Sequence, residues 1–304
     1  MTDMRVLVMG TGAVGAYYGA CLLRGGRDVT FVARGANLDA LRSNGLRVSG
    51  AMGNFSFDRV DAVEASEAGS ADLVLLCVKN YDLEDAARAI AGAGEVYLTL
   101  QNGVDAPLVA REVLGDVVVV GSTGIVADYP EPGHVHCVSA YAWMRFGEME
   151  GGDISERVDR TNDCLSVDGI EPIPVPDARI ALWEKMSLMC GMAGLTTLLQ
   201  RPMGEILGDP ELRGRFESIV GECEAVARTK GVPLSKDFLS DRMGYADRID
   251  PGAMSSMSRD FARGKRIELD TFNGAIVRLG AELGIEVPAN AAVCEGIRAK
   301  SPDA

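Results

Sequence analysis

Histidine is nearly absent from this sequence: its 304 residues include two, His134 and His136. The HxH spacing puts both rings on one face of a strand, but no third ligand cluster accompanies them. Surface strand residues are therefore expected, with no metal site and no histidine general base. The seven cysteines (Cys21, Cys77, Cys137, Cys164, Cys190, Cys223 and Cys294) are odd in number and include no CxxC pair. Several lie in apolar runs such as Leu75-Leu76-Cys77-Val78, so buried free thiols in a reducing compartment are expected rather than a disulfide framework. No apolar run approaches the roughly 20 residues of a membrane helix. The start, Met1-Thr2-Asp3-Met4-Arg5, leads straight into a strand pattern without the features of a signal peptide, which predicts a cytoplasmic protein. Basic excess is missing too. The net charge is −14 and Lys and Arg are scattered among acidic residues, so neither nucleic acid nor membrane is an expected partner. No repeat of solenoid length and no low-complexity tract occurs.

What is present is ordinary globular material, 47% apolar and 24% charged, at a length compatible with two domains. Val6 to Met9 is a short apolar run ending in glycine, as a buried parallel strand should. A helical pattern from about Ala13 to Arg24 follows, stopped by Gly25-Gly26, and Asp28 to Ala33 reads as a second strand. The alternation continues with strands at Leu73–Val78, Val96–Leu100 and Val117–Val120 and helices at Leu83–Ile90 and Ala106–Leu114. That order predicts an α/β fold, an N-terminal Rossmann doubly wound sheet covered on both faces. From Gly133 to Gly147 the pattern is strand-rich and reads as a hairpin at the sheet edge. Pro172-Ile173-Pro174-Val175-Pro176 cannot be helical and marks a boundary. Beyond it, Arg179–Leu199, Pro210–Lys230 and Arg266–Leu283 carry helical periodicity. The expected domains are 1–176, dinucleotide-binding, and 177–304, mostly α-helical and substrate-binding.

Gly10-Thr11-Gly12-Ala13-Val14-Gly15 matches GxGxxG between a strand and a helix. Gly10 permits the tight turn, Gly12 lets the backbone approach a pyrophosphate, and Gly15 lets helix and strand pack closely. The helix N-terminus offers unpaired N–H groups and partial positive charge to the phosphates. An NAD enzyme usually ends the second strand with Asp or Glu for the ribose 2′-hydroxyl. This chain has Arg34, a forked cation suited to a 2′-phosphate, and neither Asp28 nor Asp39 fits that position as well. NADP(H) is the predicted cofactor, and a soluble oxidoreductase the predicted class.

Taken with Leu75-Leu76-Cys77-Val78-Lys79, Gln101-Asn102-Gly103, Leu182-Trp183-Glu184-Lys185, Ser255-Ser256-Met257 with Asp260, Glu268-Leu269-Asp270-Thr271-Phe272-Asn273-Gly274 and the closing Gly284-Ile285-Glu286-Val287-Pro288-Ala289-Asn290, the chain resembles the ketopantoate reductase (2-dehydropantoate 2-reductase) family over nearly its full length. The resemblance implies a Rossmann domain, a helical C-terminal domain, an active site in the cleft between them, and hydride transfer from NADPH to the ketone of a small 2-keto acid. In that family the product serves pantothenate biosynthesis. Lys185 would be the general acid, stabilising and protonating the oxygen as charge grows on it; the bland alternative is a solvated helix lysine. Glu268 would be the active-site carboxylate that orients the lysine or a water, the alternative being a surface pair with Lys265 or Arg266. Asn102, in a loop at a strand's carboxyl end, would bridge cofactor and substrate. Lys79 would meet a phosphate or carboxylate, and Ser256 the substrate carboxylate. A homodimer is an open assembly state.

The pattern also departs from the family. Asparagines often stand four and eight residues after the lysine, on its helix face, where this chain has Met189 and Ala193. A third, before the serine, is Ala253, and a glutamine after Lys79 is replaced by Asp82. Each lost hydrogen bond to a substrate hydroxyl would weaken binding by on the order of 1 kcal/mol. A family member acting on a more apolar carbonyl or alcohol substrate is thus the second expectation, unless Thr196, Thr197 or Asn273 supply the missing polar groups. A non-catalytic NADP sensor is the third; Lys185 and Glu268 argue against it.

Overall fold

The run Arg5-Val6-Leu7-Val8-Met9 has no polar face: Val6, Leu7 and Val8 are all buried. A strand apolar on both sides belongs in the middle of a sheet covered on both faces. The structure, a computed structural model describing residues 4–300, places it there.

The chain forms β1 (Arg5–Met9), α1 (Ala13–Arg24), β2 (Asp28–Val32), α2 (Gly35–Asn44), β3 (Leu46–Gly50), β4 (Phe55–Phe57), β5 (Asp61–Val63), β6 (Ala71–Leu76), α3 (Leu83–Ala89), β7 (Gly94–Thr99), α4 (Ala106–Leu114), β8 (Val118–Gly124), β9 (Ala127–Glu131), β10 (His134–Cys137), β11 (Trp143–Gly147), α5 (Glu156–Leu165) and β12 (Glu171–Pro174). There follow α6 (Ala178–Leu199), α7 (Met203–Gly208), α8 (Pro210–Thr229), α9 (Phe238–Ala246), α10 (Ser256–Ala262), α11 (Asn273–Leu283) and α12 (Pro288–Lys300). Two compact units result, one of residues 4–101 and 106–181, the other of 102–105 and 182–300. The division falls inside α6, a few residues past the proline-rich boundary at 172–176, because α6 runs unbroken through it. Among the described residues no helix is long and apolar enough to cross a membrane. All seven cysteines are free, and six are buried.

In the first unit an eight-stranded sheet has the order β12-β11-β8-β7-β6-β1-β2-β5. Strands β5 to β8, β1 and β2 are parallel neighbours, and β11 runs antiparallel to β8. Its faces support separate cores. Val6, Val8, Leu73, Leu75 and Leu98 point to the side holding α1, α2 and α5. Leu7, Val74, Leu76 and Tyr97 point to the side holding α3 and α4. This is the doubly wound α/β arrangement. The second unit is helical.

Two local expectations need correction. Residues 133–147 are not one edge hairpin. His134–Cys137 pairs parallel with β3 in a separate four-stranded sheet, β4-β3-β10-β9, while Trp143–Gly147 lies inside the large sheet between β8 and β12. The pairing joins segments more than 80 residues apart, which no local pattern announces. The prolines of 172–174 form an edge strand. Glu171 and Val175 donate their N–H groups to Ala142 O and Phe146 O at 2.9 and 2.8 Å. Pro172 and Pro174 take the alternate positions, whose missing N–H would have faced away from β11. Finally, the helix expected from Arg266 begins only at Asn273, after a short 3-10 turn over Leu269–Thr271.

His134 and His136 flank Ser49, whose hydroxyl lies 2.8 Å from His134 Nε2 and 3.0 Å from His136 Nδ1. Among the described residues no cluster of three His, Cys, Asp or Glu side chains is placed to hold a metal.

Helix α1 sits close to the sheet because Gly19 faces Phe31; a Cβ there would fall 2.2 Å from Phe31 Cε1. Gly19→Ala gains about 1 kcal/mol of helix propensity but forces an overpacked contact costing about 1–3 kcal/mol. Urea unfolding should show net destabilisation; a variant at or above native stability would contradict the close packing.

Candidate active site

The residues expected from the sequence to meet a cofactor gather where the strand order reverses. β1 lies between β6 and β2, so the carboxyl ends of β1 and β6 flank the crevice at which open α/β sheets bind ligands. Gly10 adopts φ +99°, and a Cβ on it would meet Val78 N at 2.8 Å. Gly15 is tighter still: a Cβ would fall 2.0 Å from Gly10 O, a backbone atom that cannot step aside. Around Gly12, by contrast, no atom lies within 4 Å of an added Cβ. Gly12 is the N-cap of α1, with extended backbone and no side chain capping the helix. The first N–H groups of Ala13, Val14 and Gly15 therefore face a cradle left open by the one glycine that does not need the space for packing.

Of the six buried side-chain polar atoms without partners among the described residues, two lie here: Thr11 Oγ1 after β1 and Gln101 Oε1 after β7. Buried polar atoms are ordinarily hydrogen-bonded, so each points to a missing ligand or water. The residues present thus fit a dinucleotide. Gln101 is itself held through its amide nitrogen. Its Nε2 holds Leu76 O and Val78 O at 2.9 and 3.1 Å, fastening the end of β6, and leaves the oxygen over.

Arg34 follows β2 as the N-cap of α2, with its side chain 86% exposed. Asp28 lies at the opposite end of the strand, 3.4 Å from Arg5, and so cannot serve a ribose. Lys79 is exposed at the head of the 3-10 turn Asn80–Asp82 after β6.

In the second unit, Lys185 lies on α6 and donates from Nζ to Asn102 Oδ1 at 2.9 Å. Asn102 belongs to a four-residue excursion, 102–105, between β7 and α4. Gly103 makes the excursion possible. Its φ is +85°, and a Cβ would lie 2.8 Å from Thr271 Cγ2 and 3.0 Å from Thr271 O. The loop therefore lies against the same turn that begins with Glu268. Arg278 fixes its far end through Asp105 at 2.5 Å.

Glu268 is 7% exposed and precedes the turn Leu269–Thr271. Burial lowers the pKa of Lys185 to about 8, and the negative charge of Glu268 works against that by favouring the ammonium. The three residues Lys185, Asn102 and Glu268, distant in sequence, thus form one electrostatic cluster. A lysine titrating near 8 is poised to give up a proton at physiological pH.

Ser256 occupies the first turn of α10 and is half-buried. Its neighbour Ser255 is structural: it caps the helix through Ser258 N at 3.0 Å and lies 2.9 Å from Thr196 Oγ1. Thr196, Thr197 and Asn273, the alternative polar anchors, are all fully buried. Asn273 Nδ2 donates to Cys190 O at 3.1 Å and to Asn290 Oδ1 at 2.9 Å. Glu222 completes this clasp by accepting Ala289 N, Asn290 N and Asn290 Nδ2 at 2.7, 2.9 and 2.7 Å. It fastens the start of α12 to α8, and through Asn273 to α6. No sequence motif marks Glu222: it stands at the edge of the buried face of α8, with exposed Ser218 and Ala225 beside it.

Comparison with known proteins agrees with this picture. The profile of ketopantoate reductase PanE/ApbA matches residues 6–151, and that of the ketopantoate reductase PanE/ApbA C terminal matches residues 177–301. A 2-dehydropantoate 2-reductase of Halobacterium salinarum is 32% identical, over 99% of this chain and 100% of its own. The crystal structure of a PanE/ApbA family ketopantoate reductase from Ralstonia eutropha superposes with a TM-score of 0.88 at 32% identity, covering 97% of this chain and 98% of that one. A D-mandelate dehydrogenase solved with NADH and anilino(oxo)acetate shares the fold, with a TM-score of 0.87 at 23% identity over 98% of each chain. The class is therefore an oxidoreductase of keto and hydroxyl groups that uses a nicotinamide cofactor and a small-molecule substrate. Within that class, the chain belongs to the ketopantoate reductase PanE/ApbA family.

Gly15→Ala should abolish nicotinamide-cofactor binding in a fluorescence titration, because Gly10 O must move and the phosphate turn with it. Binding within about threefold of native, less than 1 kcal/mol, would contradict the role given to this turn.

Proposed function

We propose that this protein reduces the ketone of a 2-keto acid to the 2-hydroxy acid with NADPH, as a 2-dehydropantoate 2-reductase does. The observation that carries the reading is the Lys185 ammonium held at 2.9 Å by Asn102 and balanced by buried Glu268. When bound, the nicotinamide supplies the hydride. Lys185 supplies the rest: charge grows on the keto oxygen as its carbon is reduced, and the ammonium stabilises that charge and then donates its proton to it. An ammonium has three donors, and Asn102 Oδ1 engages one of them. Asn102 fixes the direction of the amine, and Glu268 keeps it charged against its burial. Ser256 offers a hydroxyl to the substrate carboxylate. Gly10 to Gly15 receive the pyrophosphate, Arg34 the 2′-phosphate that distinguishes NADPH from NADH, and Lys79 adds positive charge beside them.

A second reading concerns the substrate. Lys185, Met189 and Ala193 are four residues apart on α6 and share a face. Met189 is half-buried and Ala193 fully buried, so this face offers no hydrogen bond beyond the lysine. Thr196, Thr197 and Asn273 lie inside the helical core. This arrangement favours a 2-keto acid with an apolar side chain over one carrying a hydroxyl.

NADPH oxidation measured against 2-dehydropantoate and against branched and aromatic 2-keto acids decides between these readings. Turnover of 2-dehydropantoate with the highest kcat/KM supports the first; preference for an apolar 2-keto acid, reversed toward the hydroxylated one in Met189→Asn, supports the second. Tight NADPH binding with no turnover of any 2-keto acid would overturn both. Reduction needs the protonated lysine, so its kcat/KM should be level below pH 8 and fall about tenfold per unit above it. Oxidation of the hydroxy acid needs the neutral amine and should rise through the same range. A reduction rate that climbs above pH 8 would contradict the assignment of Lys185.

A further inference from the structure

The cation that reads the cofactor's 2′ position has a counter-charge. Arg34 Nη2 lies 3.4 Å from Asp82 Oδ1. The two come from different strand connections, Arg34 after β2 and Asp82 from the turn that follows β6 and Lys79. Asp82 ends that 3-10 turn in right-handed helical backbone (φ −106°, ψ −2°) and leads straight into α3, with no capping bond from its side chain. Its carboxylate is turned to Arg34. The pair is open to water, with 86% of the Arg34 side chain and 40% of the Asp82 side chain exposed. Such a pair adds little to folding. The effect that remains is electrostatic: a negative charge stands beside the guanidinium assigned to a phosphate.

We propose that Asp82 is a selectivity residue of the cofactor site, opposing the 2′-phosphate that Arg34 attracts and offering an acceptor to a 2′-hydroxyl. The chain's preference for NADPH over NADH is then narrower than Arg34 alone would set. This inference rests on the reading of Arg34 as the 2′ contact. A phosphate oxygen cannot donate to a carboxylate, whereas a ribose hydroxyl can, and Arg34 can bond the phosphate only by sharing or leaving Asp82. Both cofactors share every other group, so the ratio of their affinities isolates this one position.

The test is to titrate NADPH and NADH into the native chain, Arg34→Ala, Asp82→Asn and Asp82→Gln, at low and high salt. The Asp82 side chain is 40% exposed and caps nothing, so the fold should survive either substitution; the glutamine variant guards against a local effect of one substitution. Removing the Asp82 charge should tighten NADPH binding by about three- to tenfold, leave NADH unchanged or weaker, and lose most of its effect at high salt. Arg34→Ala should lower the NADPH preference. If Arg34→Ala does so while both Asp82 variants leave the ratio unchanged or reduced, the proposal is wrong and the Arg34 reading stands. If Arg34→Ala leaves the ratio unchanged, the Arg34 reading fails and the proposal falls with it.

Discussion

A buried ammonium is costly unless something accepts its hydrogen bonds and balances its charge. Lys185 meets both requirements within the helical unit, through Asn102 Oδ1 and the charge of Glu268. Much of the surrounding architecture secures those two partners. Gly103 lets the Asn102 loop lie on Thr271, and the Asp105–Arg278 pair ties down the loop's far end. The Asn273–Asn290–Glu222 clasp fixes α6 against α8, α11 and α12, so the lysine's helix cannot drift. The compensation is incomplete: burial still outweighs Glu268, and the pKa rests at about 8. An ammonium made so willing to lose its proton is a useful acid near neutrality.

The first unit obeys a constraint of contact rather than charge. Its glycine turn consists of backbone drawn so close that Gly10 and Gly15 admit no Cβ, beside a Gly12 with open space around it. Thr11 and Gln101 each retain one buried polar atom without a partner at the same strand ends.

How much of this was legible in the sequence follows from the range of the interactions. The β1–α1–β2 unit could be read directly, because its strand run, glycine spacing and helical period are all local. The α6 and α8 helices were legible for the same reason. The small sheet was not: β3 and β10 are far apart in sequence, and each strand alone is a short, half-buried segment. The segment 266–272 looked helical because Ile267, Leu269 and Phe272 are apolar at short spacings, yet their burial serves a turn that carries Glu268 inward. At the site, the glycines explained themselves, whereas Lys185 stood out only through resemblance to a family. By composition it is one more lysine on a helix; its partner Asn102 arrives from 83 residues away. The Arg34–Asp82 pair spans 48 residues and was equally invisible. His134 and His136, conspicuous in the sequence, turn out to flank a serine on the small sheet.

The account therefore turns on one nitrogen atom. Its most direct test is single-turnover reduction of the preferred 2-keto acid by Lys185→Ala already loaded with NADPH. The account predicts that cofactor binding stays within about threefold of native while hydride transfer slows by at least about a hundredfold. Native-rate transfer in that variant would contradict it.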